Sequence, residues 1–310
     1  MYDITSGVSL QWNLTGVVVA GSNSSGSDPN ELDQPGFLYI DASGALFICD
    51  SGNNRIQKWI SGAPNGTTVA GNSNGNNGDS SSLLHNPTGI DFDSNGYMYI
   101  ADSNNNRVQR YPPNSTNGTT VAGIGGNGTA NNQLRQPIAV NVDENLNIFI
   151  TDTGNRRVVM WALNATTGII LIDAGGSGAA NGQLDVPYGI LLIDGSLNQV
   201  YLSDLNRHHV QMWTFGAANA NTTFSTAIST NLDHPTQMML DPNGNLYVAD
   251  MNNKRVVMFY ANSTTGIVIV GTGTTSTPTL QSPSGIAFDS NFNLYVSDSN
   301  LNQVLKYARL

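Results

Sequence analysis

Four histidines, His85, His208, His209 and His234, are the side chains in this sequence best suited to hold a transition metal or to move protons near neutral pH. No two follow the HxH or HxxxH spacing that sets a pair of imidazoles on one face, so His85, His208 and His234 stand only as weak metal candidates. The single cysteine, Cys49, rules out an internal disulfide and a cysteine-rich metal site. Nothing beside it in sequence would lower its pKa, so it reads as a small residue filling a small space. Serines and aspartates occur without a GxSxG context, and the glycine-rich stretch GIGGNG lacks the lysine and following helix of a phosphate loop. No cofactor is expected. The most regular chemistry is an aspartate followed five residues later by arginine: Asp50 and Arg55, Asp102 and Arg107, Asp152 and Arg157, Asp250 and Arg255. His209 and Gln303 replace the arginine in two further copies. A ring of such pairs resembles a set of binding groups. Identical spacing in each copy instead favours a structural pair that pins a turn.

Those residues need a frame, and composition limits what it can be. The 310-residue chain is 39% apolar and only 11% charged, with Asn, Ser, Thr and Gly supplying most of its polarity. That is too apolar for a disordered chain. Twelve basic residues against twenty-two acidic ones give a net charge of −10, which opposes binding to a phosphate backbone. No apolar run approaches the roughly 20 residues of a membrane-spanning helix. No nucleic-acid partner and no membrane insertion are therefore expected.

The frame is a repeat. Pro35, Pro87, Pro137, Pro187, Pro235 and Pro283 recur 48 to 52 residues apart, each three residues after a leucine. Each unit continues through an apolar run that ends in Asp50, Asp102, Asp152, Asp204, Asp250 or Asp298. An aromatic residue, such as Trp59 or Tyr111, follows nine residues later. Runs such as LFIC and MYIA lack alternation and suit strands buried on both faces, while DASG, DSNG and DPNG are hairpin turns. Each unit is a four-stranded meander: strand a after the proline, b before the aspartate, c up to the aromatic, and d in segments such as TTVAG. Sheets that are apolar on both faces require neighbours on both sides, and closing them radially satisfies every copy. The expectation is an all-β, six-bladed β-propeller of four-stranded antiparallel blades, spanning residues 15–310. The sixth unit has no strand d after Tyr307, so residues 16–20 are expected to supply it and close the ring. Residues 1–14 form an extension containing a spare strand-like segment, VSLQW at residues 8–12.

With the Pro-x-Gly start, the aromatic-Ile-x-Asp run and turns such as CDSGNNRIQKW and ADSNNNRVQRY in place, the chain resembles the NHL-repeat propellers over roughly residues 15–308. The resemblance implies a six-bladed ring around a central channel. It also brings in a family of enzymes, RNA binders and protein-binding scaffolds, so fold alone leaves the function open. Amidating lyases of this fold resemble the chain in architecture and use zinc-bound histidines near the channel, helped by arginine and tyrosine. The disulfides expected of that class are impossible here. A basic RNA-binding face is missing as well.

Nine Asn-x-Ser/Thr triplets begin at Asn13, Asn23, Asn65, Asn114, Asn117, Asn127, Asn164, Asn221 and Asn262. Composition alone would yield nearly as many. However, Asn13, Asn65, Asn117, Asn164, Asn221 and Asn262 each stand just before a strand d, one for every blade. These c–d hairpins share a face with the a–b turns, opposite the face carrying the histidines. The resulting expectation is a secreted, N-glycosylated, non-catalytic scaffold, its leader not present in this sequence. It would meet a protein or glycan partner through the varied b–c and d–a loops. One alternative is an extracellular filament linked head to tail by self-association through residues 1–20. The other is a zinc-dependent, amidating-lyase-like enzyme.

Overall fold

A computed structural model describes residues 10–173, 184–193, 198–215, 223–228 and 231–310. The expected sequon at Asn221 and residues 8 and 9 of the VSLQW segment lie outside them.

Strand β1 (Val17–Gly21) precedes the first complete blade, which holds β2 (Pro35–Ile40), β3 (Leu46–Asp50), β4 (Arg55–Trp59) and β5 (Thr67–Gly71). Blade 2 holds β6 (Pro87–Phe92), β7 (Met98–Asp102), β8 (Arg107–Tyr111) and β9 (Thr119–Ala122). Blade 3 holds β10 (Pro137–Val142), β11 (Ile148–Asp152), β12 (Arg157–Trp161) and β13 (Ile169–Asp173). Blade 4 holds β14 (Pro187–Leu192), β15 (Gln199–Asp204), β16 (His209–Thr214) and β17 (Thr223–Ile228). Blade 5 holds β18 (Pro235–Leu240), β19 (Leu246–Asp250), β20 (Arg255–Phe259) and β21 (Gly266–Gly271). Blade 6 holds β22 (Pro283–Phe288), β23 (Leu294–Asp298) and β24 (Gln303–Tyr307), and β1 is hydrogen-bonded outside β24 in the same sheet. The structure is thus an all-β, six-bladed propeller of four-stranded antiparallel blades.

Strand a starts at proline because that position needs no ladder N–H, and in every blade the a–b register shifts directly after it. The b strands of blades 1, 2, 3, 5 and 6 are buried along their whole length, as their unbroken apolar runs require. The six a strands touch one another in sequence around the ring, β22 returning to β2. Core clusters straddle blade boundaries: Leu38, Ile48 and Trp59 of blade 1 pack with Ala287, Tyr295 and Val304 of blade 6. The leucine ahead of each proline is buried in all six units.

The second residue after the proline faces the next blade's inner strand. Blades 2, 4 and 6 place Gly89, Gly189 and Gly285 there, where an added Cβ would lie 2.4–2.5 Å from a backbone oxygen of the following blade. Blades 1, 3 and 5 carry Phe37, Ala139 and Gln237 at this position. In alternate blades glycine therefore lets the next blade's strand a approach closely, while Phe37, Ala139 and Gln237 line the channel cavity.

Candidate functional site

The Asp–Arg pairs stand at the entry to strand c. Arg55 Nε donates to Asp50 Oδ2 at 2.7 Å, and both side chains are fully buried. The remaining guanidinium nitrogens donate to the carbonyls of Ser27, Asp28, Glu31 and Ser73, and Asp50 also accepts the Asp33 N–H and the Asn53 amide. Arg107 holds the carbonyls of Asp79, Ser80 and Leu83 in the same way, and Arg157 those of Thr129, Ala130 and Gln133. In blade 5, Arg255 pairs with Asp250 and donates to the carbonyl of Asn231. Each clamp fastens a d–a loop to its own blade through charge-assisted bonds. In blade 4, His209 takes the arginine position and its Nε2 meets the Gln211 amide; burial holds its pKa below the usual value.

Cys49 is buried in the core, where desolvation pushes its thiol pKa far up, so it is not a nucleophile. The small position it occupies has a use that composition did not reveal. Thr151, Ser203 and Ser297, its counterparts, donate across the blade boundary to the carbonyls of Tyr188, Thr236 and Gly36.

The channel contains a cavity of about 220 Å³, lined among others by Phe37, Tyr39, Asp91, Asn141, Gln237 and Phe288. It leads past Ile40, Met239 and Phe288 into a wider recess of about 570 Å³ at the a–b turns. Gln237 reaches across the ring: its Oε1 accepts the N–H groups of Leu38 and Ile286, and its Nε2 donates to the Leu38 carbonyl. On the other side Asp91 accepts the N–H groups of Phe92 and Val142 and the Asn141 amide, while Asn141 accepts the Leu192 N–H. Hydrogen bonds therefore run from blade 2 through blade 3 to blade 4. Desolvation outweighs those bonds and raises the Asp91 pKa to about 7, which lets this carboxyl take up and release protons near neutrality. These residues stand at strand-a positions that the other blades fill with glycine or with mostly apolar side chains such as Phe37, Tyr39, Leu191 and Met239, and their polarity there is the one sequence signal that marks them.

The histidines separate. His208 Nδ1 lies 2.9 Å and His234 Nδ1 2.6 Å from the same Asp233 Oδ1, and the two rings are 4.9 Å apart. Asn252 reaches both Asp233 and His234. The hydrogen bond from His234, first, and those from its other neighbours hold the Asp233 carboxyl below the ordinary carboxylate range. Among the described residues this is the cluster whose ligand atoms converge, and His85 is not part of it. No histidine is among the residues lining the channel cavity or its mouth, so the side chains present do not fit the channel zinc that the lyase resemblance implies.

All eight described sequon asparagines, Asn13, Asn23, Asn65, Asn114, Asn117, Asn127, Asn164 and Asn262, are exposed. The described part of the spare segment, residues 10–12, lies on its own ring. Trp12 is buried, stacks on Phe288, meets Tyr247 edge-on and donates from its indole to the Phe292 carbonyl. Its backbone runs antiparallel to Arg309.

Comparison with known proteins bears on this geometry. The NHL repeat family model matches residues 32–59 and 84–111, the first two blades up to the end of strand c. These two units match the NHL repeat. No curated protein is detectably similar to this chain in sequence. Among solved structures, a gluconolactonase from Xanthomonas campestris superposes with a TM-score of 0.67 at 13% identity, over 90% of this chain and 87% of its own. An auxiliary nutrient binding protein from Bacteroides thetaiotaomicron gives 0.72 at 12%, over 95% and 76%. A chain of a nidogen/laminin complex gives 0.59 at 20%, over 82% and 84%. These likenesses establish the fold. They also correct the expectation that the protein is not an enzyme, because an enzyme stands among its structural neighbours. The propeller has a concave channel mouth and, in the channel, a carboxyl whose pKa burial raises to about 7, features on which catalysis can be built.

Proposed function

We propose that this NHL propeller is an extracellular binding scaffold with two differentiated faces. One face carries N-linked sugars on its c–d hairpins; the other presents the b–c and d–a loops to a protein or glycan partner. The observation that carries this reading is the arginine clamp. Arg55 and Arg157 from buried positions, and Arg107 from a half-buried one, fix loop carbonyls, so the loops meet a partner already ordered and lose little freedom on binding. The exposure of the described sequons and the neighbouring nutrient-binding protein support the same reading. A glycan array probed with the purified protein tests it. Signal should fall when the exposed d–a loop residues Asn76, Asn77 and Asn131 are replaced by alanine, and should survive replacement of the c–d sequons. The reverse pattern would assign binding to the other face.

A second reading is favoured by Asp91 and by the gluconolactonase neighbour: hydrolysis of a sugar lactone in the channel cavity that Asp91 lines. Asp91 uses three of its roughly four lone-pair positions within the ring, leaving one to accept a proton from an attacking water. Acid release from gluconolactone above the spontaneous rate, lost in Asp91→Asn, would establish it. A rate equal to that of buffer would dismiss it.

A further inference from the structure

The junction of blades 4 and 5 departs from the other blade junctions in a way that creates lone-pair donors. The fourth residue after the strand-b aspartate, and the residue before the strand-a proline, share the left-handed conformation at several junctions. Asn54, Asn106, His208 and Asn302 have φ of 51 to 55°, and Gln34, Asn86, Gln136 and His234 have φ of 48 to 55°. At three junctions the asparagine Oδ1 accepts the N–H ahead of the next proline: Asn54 from Asn86, Asn106 from Gln136, and Asn302 from Gln34, at 2.9–3.0 Å. His208 takes this place between blades 4 and 5, and its Nδ1 accepts the His234 N–H at 3.3 Å.

No single placement of protons satisfies the contacts around it. If His208 Nδ1 accepts that N–H, its lone pair faces the Asp233 carboxylate at 2.9 Å; if it carries a proton for Asp233, the N–H loses its acceptor. His234 Nδ1 has the same conflict between Asp233 Oδ1 and the Asn252 amide nitrogen, both at 2.6 Å. A cation among the three atoms takes the facing lone pairs of both imidazoles and of the carboxylate, turning their repulsion into attraction, and gives up only the long 3.3 Å contact from the His234 N–H. With the amide turned over, Asn252 would offer its oxygen to the same space.

We propose that His208 Nδ1, Asp233 Oδ1 and His234 Nδ1 form a binding site for a divalent transition-metal ion that joins the b–c loop of blade 4 to the entry of blade 5. All three ligand atoms lie within 4.8 Å of one another. Two imidazoles and one carboxylate suit zinc and its neighbours in the first transition row, not calcium or magnesium, which take oxygen ligands. Three protein ligands at an accessible surface leave a coordination position open to water or to a partner's side chain. His209 contributes nothing to the cluster, being turned to Gln211.

Zinc chloride alone, titrated calorimetrically into tag-free protein stripped with chelator, should bind at one equivalent and raise the melting temperature. Cobalt in its place should give the visible absorption of a four-coordinate ion. His208→Ala and His234→Ala should each weaken binding by roughly tenfold or more, while His85→Ala leaves it unchanged. Melting without metal checks that each variant is folded. Should either alanine variant fail that check, Asp233→Asn is read instead, and loss of binding supports the site while retention overturns it. Absence of saturable zinc binding, binding that survives the double histidine variant, or equal loss in His85→Ala would each overturn the proposal.

Discussion

Arg55 shows what one residue of the repeat does. Its charge is neutralised by Asp50, and its other nitrogens are shared among four carbonyls, so the residue joins strand c to the d–a loop. Arg55→Ala strands a buried carboxylate and should lower the unfolding free energy by about 3–5 kcal/mol in chemical denaturation. A change below about 1 kcal/mol would mean that the loop does not depend on the clamp. Asp91 makes a separate prediction in pH. Its folded pKa of about 7 lies above the ordinary aspartate value of 3.8, so the folded protein retains a proton that the unfolded chain releases. Stability should therefore fall as pH rises from about 4 through 7 and level off above that. Asp91→Asn should remove this component, worth at most about 4 kcal/mol, from the denaturation profile. Spacing showed the Asp–Arg pairs in the sequence. Asp91, Asn141 and Gln237 were not legible there, because their partners sit on other blades and periodicity carries no record of which side chains meet across a channel.

At the scale of the strand, the sequence was read most directly where burial is symmetrical. The runs LFIC, MYIA and IFIT became b strands buried from end to end, since a strand covered on both sides needs apolar residues on both. The alternation of Gly89, Gly189 and Gly285 with Phe37, Ala139 and Gln237 is not legible in the repeat, because its reason is contact with the next blade and not with the matching position of another unit. The segment ahead of β1 was equally hard to place: VSLQW resembles a strand c, yet Trp12 serves as a plug on blades 5 and 6. Trp12→Ala removes that plug and should cost about 3–5 kcal/mol in unfolding free energy. If stability is unchanged, the indole contributes no packing.

At the scale of the whole molecule, six inner strands closed in a ring leave two faces built from different loops. Among the described residues, the turns of the a–b and c–d hairpins are short and repeat closely, while the d–a loops vary and four of them are clamped by Arg55, Arg107, Arg157 and Arg255. The number of blades was legible in six prolines at near-constant spacing, whereas the division of labour between faces depends on exposure and hydrogen bonding, which spacing does not encode. Neither the proteins of similar fold nor the repeat itself selects among binding partners, so the test must read the molecule in its own setting. Glycopeptide mapping of the protein purified from its natural source is the most direct measurement. N-linked sugar is expected on the c–d hairpin asparagines, Asn65, Asn117, Asn164 and Asn262 among them, with the d–a loops bare. A mass equal to that of the unmodified chain, or sugar confined to Asn23 and Asn127 in the d–a loops, would contradict it.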